Sequence, residues 1–324
     1  MKIQRLLQLH TYGEDVKYLQ SLLKDNGFFN SKIDGYFGQD TLVSVTNFQI
    51  KNGIKVDGIV GKITINRLLM YNLPKKLEIP NNISYTNQNG LIIYDELLDE
   101  HEYIKEITPK DTIFLHHTSG GSNPINTISG WEKDYKKDKA GNPILDAKGN
   151  LIPINVGTSY VIGRSSSSSD DNTWDGKIIR AFDDKYWCYH LGISTKNSKA
   201  LNSKSIGIEI CNYGGLKLSK DGRFYNYVNK VVNDKDVVKL NTPFRGYEYF
   251  EKYTEKQIDS TRKLIVYLIN KYNIKIEGKI YNEKWFDYNT KWCTNGGIRS
   301  HSQVRSDKSD IFPQLEMIQM LNSL

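Results

Sequence analysis

The pattern D-G-x-x-G-x-x-T occurs twice near the start of this chain, as "DGYFGQDT" over 34–41 and as "DGIVGKIT" over 57–64, a spacing of 23 residues. Chance rarely repeats four fixed positions, so the two copies mark one local structure built twice. Asp-Gly suits a tight turn, the second glycine frees the backbone where a helix begins, and the threonine can satisfy exposed amides there. Between the copies, "TLVSVTNFQIKNG" sets Leu42, Val45, Phe48 and Gln49 at helical spacing and stops at Gly53. Upstream, "GEDVKYLQSLLKDNGFF" sets Val16, Leu19, Leu22 and Leu23 likewise and stops at Gly27. The pattern predicts a small bundle of three short helices, closing near Tyr71.

The run "GEDVKYLQSLLKDNGFFNSKIDGYFGQDTLVSVTNFQIKNGIKVDGIVGKIT" resembles the peptidoglycan-binding domain found beside many cell-wall hydrolases, and the likeness covers nearly all of residues 8–70. The repeated aspartates and glycines by themselves shape the bundle. What the resemblance implies is a wall-targeting module whose contact surface lies around the loops carrying Tyr36 and Phe37. From Leu73 the composition changes to "LPKKLEIPNNISYTNQNG", with two prolines and four asparagines. This reads as an extended linker over 73–90, between a first domain over 1–72 and a second over 91–324.

The second domain mixes apolar strands ("TIFLHH", "TSYVIGR", "SIGIEIC") with one clear amphipathic helix. Thr254 and Gln257 open that helix as a capping box, and Ile258, Ile265, Leu268 and Tyr272 share one side of it. An α/β domain follows. "DKAGNPILDAKGNLIP" predicts a hairpin insertion and "SSSSSDDNTWDG" a mobile loop between strands. At 324 residues the chain can bury two cores without staples. Cys188, Cys211 and Cys293, far apart and without a C-x-x-C pair, read as buried free thiols.

Composition excludes some roles. No apolar run approaches the roughly 18–20 residues that a membrane span needs, so no stable membrane association is expected. The opening "MKIQRLLQLHTYGEDV" turns polar too soon for a signal peptide, which implies synthesis in a cytoplasm. The net charge of +7, from 44 Lys and Arg against 37 Asp and Glu, is spread along the chain without a basic block. A nucleic-acid partner is therefore not expected.

Three pieces of the second domain carry residue types that can work together: His116 in "FLHHT", Glu209 in "SIGIEIC", and His301, Lys308 and Asp310 in "HSQVRSDKSD". Adjacent strand residues point to opposite faces, so His116 and His117 cannot share one pocket. Two imidazoles and a carboxylate suit zinc and leave its fourth position open. Zinc would polarise a carbonyl, but a base must still move the proton, a task for Glu209. A cation such as Lys308 can stabilise the oxyanion, an interaction worth about 3–4 kcal/mol.

With these pieces assembled, residues from about Asp111 to Pro313 resemble the zinc-dependent N-acetylmuramoyl-L-alanine amidases of the second amidase type, kin to phage amidases and animal peptidoglycan recognition proteins. The family's first ligand histidine is usually the first of a pair, which implies His116, with His117 facing away or standing behind it. Its "SIGIE" strand carries the catalytic glutamate onto Glu209, and its closing ligand histidine with K-x-D matches His301, Lys308 and Asp310. "WCYHLGIS" resembles the family's W-H-A-G run and implies that His190 lies near the substrate cleft without binding metal. Thr158 stands where some relatives carry a catalytic tyrosine, which keeps the base on Glu209 and places Thr158 beside the substrate. "IFP" replaces the Pro-Gly that often follows the third ligand, and Cys211 is not expected to ligate.

The expectation is thus a multidomain chain: a small three-helix bundle, then an α/β amidase domain with a central mixed β-sheet flanked by helices. The resemblance implies one zinc per chain, a monomer, peptidoglycan as the partner, and hydrolysis of the bond between N-acetylmuramic acid and L-alanine. It is endolysin-like, with release through a holin, although a bacterial autolysin would share the chemistry. The alternative is a recognition protein that binds peptidoglycan without cutting it, against which the full set of five site residues argues.

Overall fold

The computed structural model describes residues 3, 5–52, 54–71, 85–88, 91–147, 149–276, 278–289 and 296–324. Gly53, Cys293 and most of the expected linker (73–84 and 89–90) lie outside the described residues. The chain divides into two compact units, 1–83 and 84–324.

The first unit holds helices α1 (Glu14–Asp25), α2 (Gln39–Lys51) and α3 (Lys62–Tyr71). They close around Leu19, Leu23, Phe37, Val45, Phe48, Val60 and Leu68, all fully buried. Each Asp-Gly turn needs its glycine, since Gly35 (φ 78°) and Gly58 (φ 67°) are left-handed. A buried glutamine grips each turn. The Gln20 amide donates to Asp34 Oδ1 (2.8 Å), the Tyr36 carbonyl (3.0 Å) and Thr41 Oγ1 (3.1 Å), and its oxygen accepts from the Asp34 and Gly35 amides. Gln49 repeats this with Asp57 Oδ1 (2.9 Å), the Ile59 carbonyl (3.0 Å), Thr64 Oγ1 (3.3 Å) and the Asp57 and Gly58 amides.

Two expectations are corrected here. The repeated threonines do not cap helices: Thr41 and Thr64 turn their hydroxyls toward the glutamines, because those buried amides have hydrogens to place. The second glycine of the first copy, Gly38, has φ −86°, a conformation open to any residue.

The second unit carries β1 (Tyr85–Gln88), β2 (Leu91–Asp95), β3 (Thr112–His117), α4 (Pro124–Trp131), β4 (Tyr160–Ile162), β5 (Ile178–Arg180), α5 (Ser198–Lys204) and β6 (Ser205–Ile210). Then come β7 (Gly215–Leu218), β8 (Phe224–Tyr225), β9 (Val231–Val232), β10 (Val237–Phe244) and β11 (Tyr247–Glu251). The chain ends with α6 (Glu255–Tyr272), β12 (Gly297–Ser300), α7 (His301–Val304) and α8 (Leu315–Leu321). The main sheet runs β1-β2-β5-β4-β6-β3-β12. It is mixed, antiparallel at β1/β2 and β4/β5 and parallel elsewhere. β1 lies within the stretch read as linker; its polar residues gave no strand signal.

Strand β3 sits between two parallel neighbours and is buried along its whole length, which explains its near-continuous apolar run. Register sorts the sheet's faces. Ile113 and Leu115 share one face with Ile206, Ile208, Ile210, Tyr160 and Ile162, packed in one core with Leu264, Ile265 and Leu268 of α6. Phe114, His116, Gly207, Glu209 and Val161 occupy the other. The predicted capping box is present at α6, with Thr254 Oγ1 accepting from the Gln257 amide at 3.1 Å.

A second, antiparallel sheet, ordered β10-β11-β7-β8-β9, lies between β6 and α6 in the chain. Its strands are short or mostly polar outward and gave no sequence signal. The fully buried Arg164–Glu251 ion pair (2.7 Å) ties it to the end of β4. Among the described residues the expected hairpin at 138–153 is held by single antiparallel bridges, Tyr135–Pro153, Lys137–Pro143 and Leu145–Leu151, around two like turns in which Asp138 and Asp146 accept from the amides of Asn142 and Asn150.

Candidate metal centre

Register alone brings the site together. Ser300 pairs with Leu115 across β12 and β3, so the next residue, His301, falls level with His116. On the other side of β3, Glu209 is the direct partner of His116. Three adjacent strands thus deliver His301, His116 and Glu209 at one height. The capping box of Ser300 with Gln303 turns the chain into α7 at that point. The Ser302 amide then bonds the Asp310 carbonyl (2.7 Å), which folds the loop back and sets Asp310 beside both histidines.

Asp310 Oδ2 lies 2.7 Å from His301 Nδ1 and 3.5 Å from His116 Nδ1. All three residues are buried, and one donor atom from each lies within 4.8 Å of the other two. The far nitrogens are occupied. His301 Nε2 donates to the Leu191 carbonyl (3.0 Å). The Ser205 hydroxyl donates to the Leu201 carbonyl (2.7 Å), so its oxygen accepts from His190 Nε2 (2.8 Å). His190 Nδ1 in turn accepts from His116 Nε2 (2.9 Å). The Nδ1 atoms of both ligand candidates therefore face Asp310, as the outer hydrogen bonds of metal-binding histidines arrange them.

The electrostatics agree. Burial, with the neighbouring His301 second, lowers His116 to about 4, and burial holds His190 well below the usual imidazole range. Burial alone would raise Asp310, but the His301 charge and the hydrogen bonds of His116 and His301 keep its carboxyl far below normal. Two imidazoles and one carboxylate, all buried, are a donor set that fits zinc. Glu209 is different: burial, then the Asp310 charge, raises it to about 8, with Lys308 opposing. Its Oε2 is buried without a hydrogen-bond partner.

His117 lies on the opposite, apolar face, where its Nδ1 meets the Tyr253 hydroxyl (3.2 Å) and burial lowers it to about 4. Gly214 (φ 76°) closes over it, since a Cβ there would stand 2.8 Å from His117 Nε2. Cys211 is buried beneath α4 with Ile125 and Ile128 and lies outside the donor cluster.

Other expected contacts change. His190 has both ring nitrogens engaged by protein, so it reaches the site through His116 and offers no ring nitrogen to a substrate. Thr158 is almost fully buried, and its hydroxyl donates to the Tyr160 carbonyl (3.0 Å). It packs on Gly207, whose Cβ would stand 2.6 Å from Thr158 Cγ2 and 3.2 Å from His190 Nδ1. The glycine of "SIGIE" is thus required so that these two side chains can cross the strand. Phe37 is wholly buried in the bundle core, so it cannot form a contact surface, whereas Tyr36 is 44% exposed and its hydroxyl bonds His10 Nδ1 (2.8 Å). Sequence reasoning did not find Ser205 or the Leu191 carbonyl; only strand register reveals them.

A buried His-His-Asp cluster beside a half-buried glutamate, at the ends of parallel strands in a mixed sheet, is a donor set that a divalent metal would fit. The chain belongs to the N-acetylmuramoyl-L-alanine amidase family, whose model matches residues 107–311. The model of the peptidoglycan binding domain matches residues 12–68. Among curated proteins, the spore cortex-lytic enzyme of Oceanobacillus iheyensis is 37% identical over 84 residues, 26% of this chain and 30% of that one. The N-acetylmuramoyl-L-alanine amidase CwlM of Mycobacterium tuberculosis is 40% identical over 57 residues, 18% of this chain and 14% of that one. The chain thus spans less than a third of the length of either relative. The solved structure of PlyL is 15% identical, with 67% of this chain and 84% of that one covered and a TM-score of 0.34.

Proposed function

We propose that this protein is a peptidoglycan hydrolase that cuts the amide between the lactyl group of N-acetylmuramic acid and the L-alanine of the stem peptide. The observation that carries this reading is the convergence of His116, His301 and Asp310 level with Glu209 in a member of the amidase family. Held by those three residues, one zinc ion supplies Lewis acidity to the scissile carbonyl and to water. As the carboxylate, Glu209 accepts the proton of water as the water oxygen bonds the carbonyl carbon. It then passes the proton to the leaving nitrogen as the C–N bond breaks, which frees a lactyl carboxyl and the amine of L-alanine. Lys308, whose charge already acts on Glu209 and His116, stabilises the oxyanion.

In this reading residues 1–72 hold the enzyme on the wall, 73–90 join the parts, and 91–324 do the chemistry. Tethering raises local substrate concentration, so deletion of residues 1–75 should lower activity on intact sacculi far more than on soluble fragments. Equal loss on both would overturn the tethering role. We infer an endolysin-like setting, lysis of a host wall from within, supported by the pairing of a wall-binding bundle with an amidase domain. Mass spectrometry of products from purified peptidoglycan tests the reaction. Stem peptides beginning at free L-alanine, lost with a chelator and restored by zinc, are expected; cuts in the glycan or cross-bridges would refute it.

A further inference from the structure

We propose that Arg245 is a positioning residue for the loop that carries Lys308 and Asp310. Phe244 pairs with Tyr247, so Arg245 and Gly246 form a two-residue turn between β10 and β11, with φ 49° and 82°. Such a turn favours Asn-Gly, and an arginine held left-handed there is uncommon. Its guanidinium reaches from the turn to a loop of the other sheet. Nη1 donates to the Ser306 carbonyl (2.7 Å), Nη2 donates to the Ser302 carbonyl (3.1 Å), and the group lies over the Phe244 ring at 5.5 Å. Ser302 is the residue whose amide bonds the Asp310 carbonyl. One planar fork therefore spans the inside of a loop that has His301 at one end and Asp310 at the other. A lysine could satisfy one carbonyl, not two in fixed geometry. Of the hairpin's other side chains, buried Phe244 and Phe250 anchor it.

This inference rests on the proposed ligand set, and its test separates the two. Arg245→Asn removes the fork and suits the left-handed turn, so the hairpin keeps its fold. Zinc affinity, measured by competition with a chelating dye, should fall at least ~10-fold, as for other lost outer supports of a metal site. Amide exchange at residues 302–310 should quicken, the melting temperature without zinc should hold, and Arg245→Lys should fall between. Wild-type zinc affinity and exchange in Arg245→Asn would overturn the proposal. So would a lower zinc-free melting temperature with faster exchange across β7, β10 and β11, which marks a strut of the second sheet. Should the wild-type chain bind no zinc, the ligand assignment fails, and exchange at 302–310 still decides whether Arg245 holds the loop.

Discussion

His116 and Glu209 are direct partners across the parallel pairing of β3 and β6, and both side chains leave the sheet on the face away from the α6 core. The strand of Glu209, the proposed base, is therefore fixed to that of His116 by backbone hydrogen bonds, and changing its carboxyl should leave the proposed metal ligands in place. Glu209→Gln is expected to retain zinc while kcat falls about 10²–10⁴-fold. Equal loss of zinc and activity would deny it the role of base.

The same carboxyl makes a prediction about pH. Its folded value of about 8 lies above the ordinary 4.5, so between those limits the folded chain holds a proton that the unfolded chain has released. Stability from this group is full below 4.5 and is lost as pH rises through 8. His116 and His117, lowered from 6.5 to about 4, act oppositely between those values, which leaves 6.5 to 8 as the clean window. In chelated protein the melting temperature of the wild type, relative to Glu209→Gln, should fall from pH 6.5 to pH 8. A flat or rising difference would contradict the burial described for Glu209.

Replacing His116, His301 or Asp310 with Ala should each take zinc, measured by elemental analysis, from one per chain to nearly none. Cys211→Ser should leave it unchanged, because Cys211 is packed under α4 away from the cluster. Zinc lost in the cysteine variant would overturn the ligand set.

What could be read from the sequence divides along physical lines. Local chemistry was legible: the Asp-Gly turns, the α6 capping box and the buried run of β3 each depend on residues close in the chain. Contacts set by sheet order were not. Nothing near Ser205 announces that its hydroxyl orients His190, and Gln49 looks like one more helix position until the Asp57 turn folds onto it. The second sheet escaped because β8 and β9 are two residues long and β10 is exposed at alternate and consecutive positions alike. Phe37 was misplaced because an aromatic in a loop can cover a core as readily as a ligand.

Ser205, His190 and His116 form a hydrogen-bonded line that ends at the ligand cluster, so Ser205→Ala should be felt there although it touches no ligand. Loss of its hydroxyl frees the His190 tautomer and with it the lone pair of His116. Zinc affinity should weaken about 10-fold or more, as when other outer partners of metal ligands are removed. His190→Gln should weaken it too. Unchanged affinity in both variants would mean that strand packing alone orients His116.

Gln20 and Gln49 give the bundle its repeated architecture, and each is nearly fully buried with five hydrogen bonds to one turn. Truncating either to alanine strips an acceptor from two backbone amides and leaves a void where the carboxamide lay. Unsatisfied buried donors cost about 1–3 kcal/mol each, so either variant should destabilise the first unit by about 2 kcal/mol or more. Amide exchange over α1, α2 and α3 in the full chain measures this. The Asp34 carboxyl supplies a second readout, since the Gln20 amide is the main cause of its lowered pKa; in Gln20→Ala it should titrate higher. Unaltered exchange in both variants would show that the apolar core around Phe37 and Phe48 holds the turns without the glutamines.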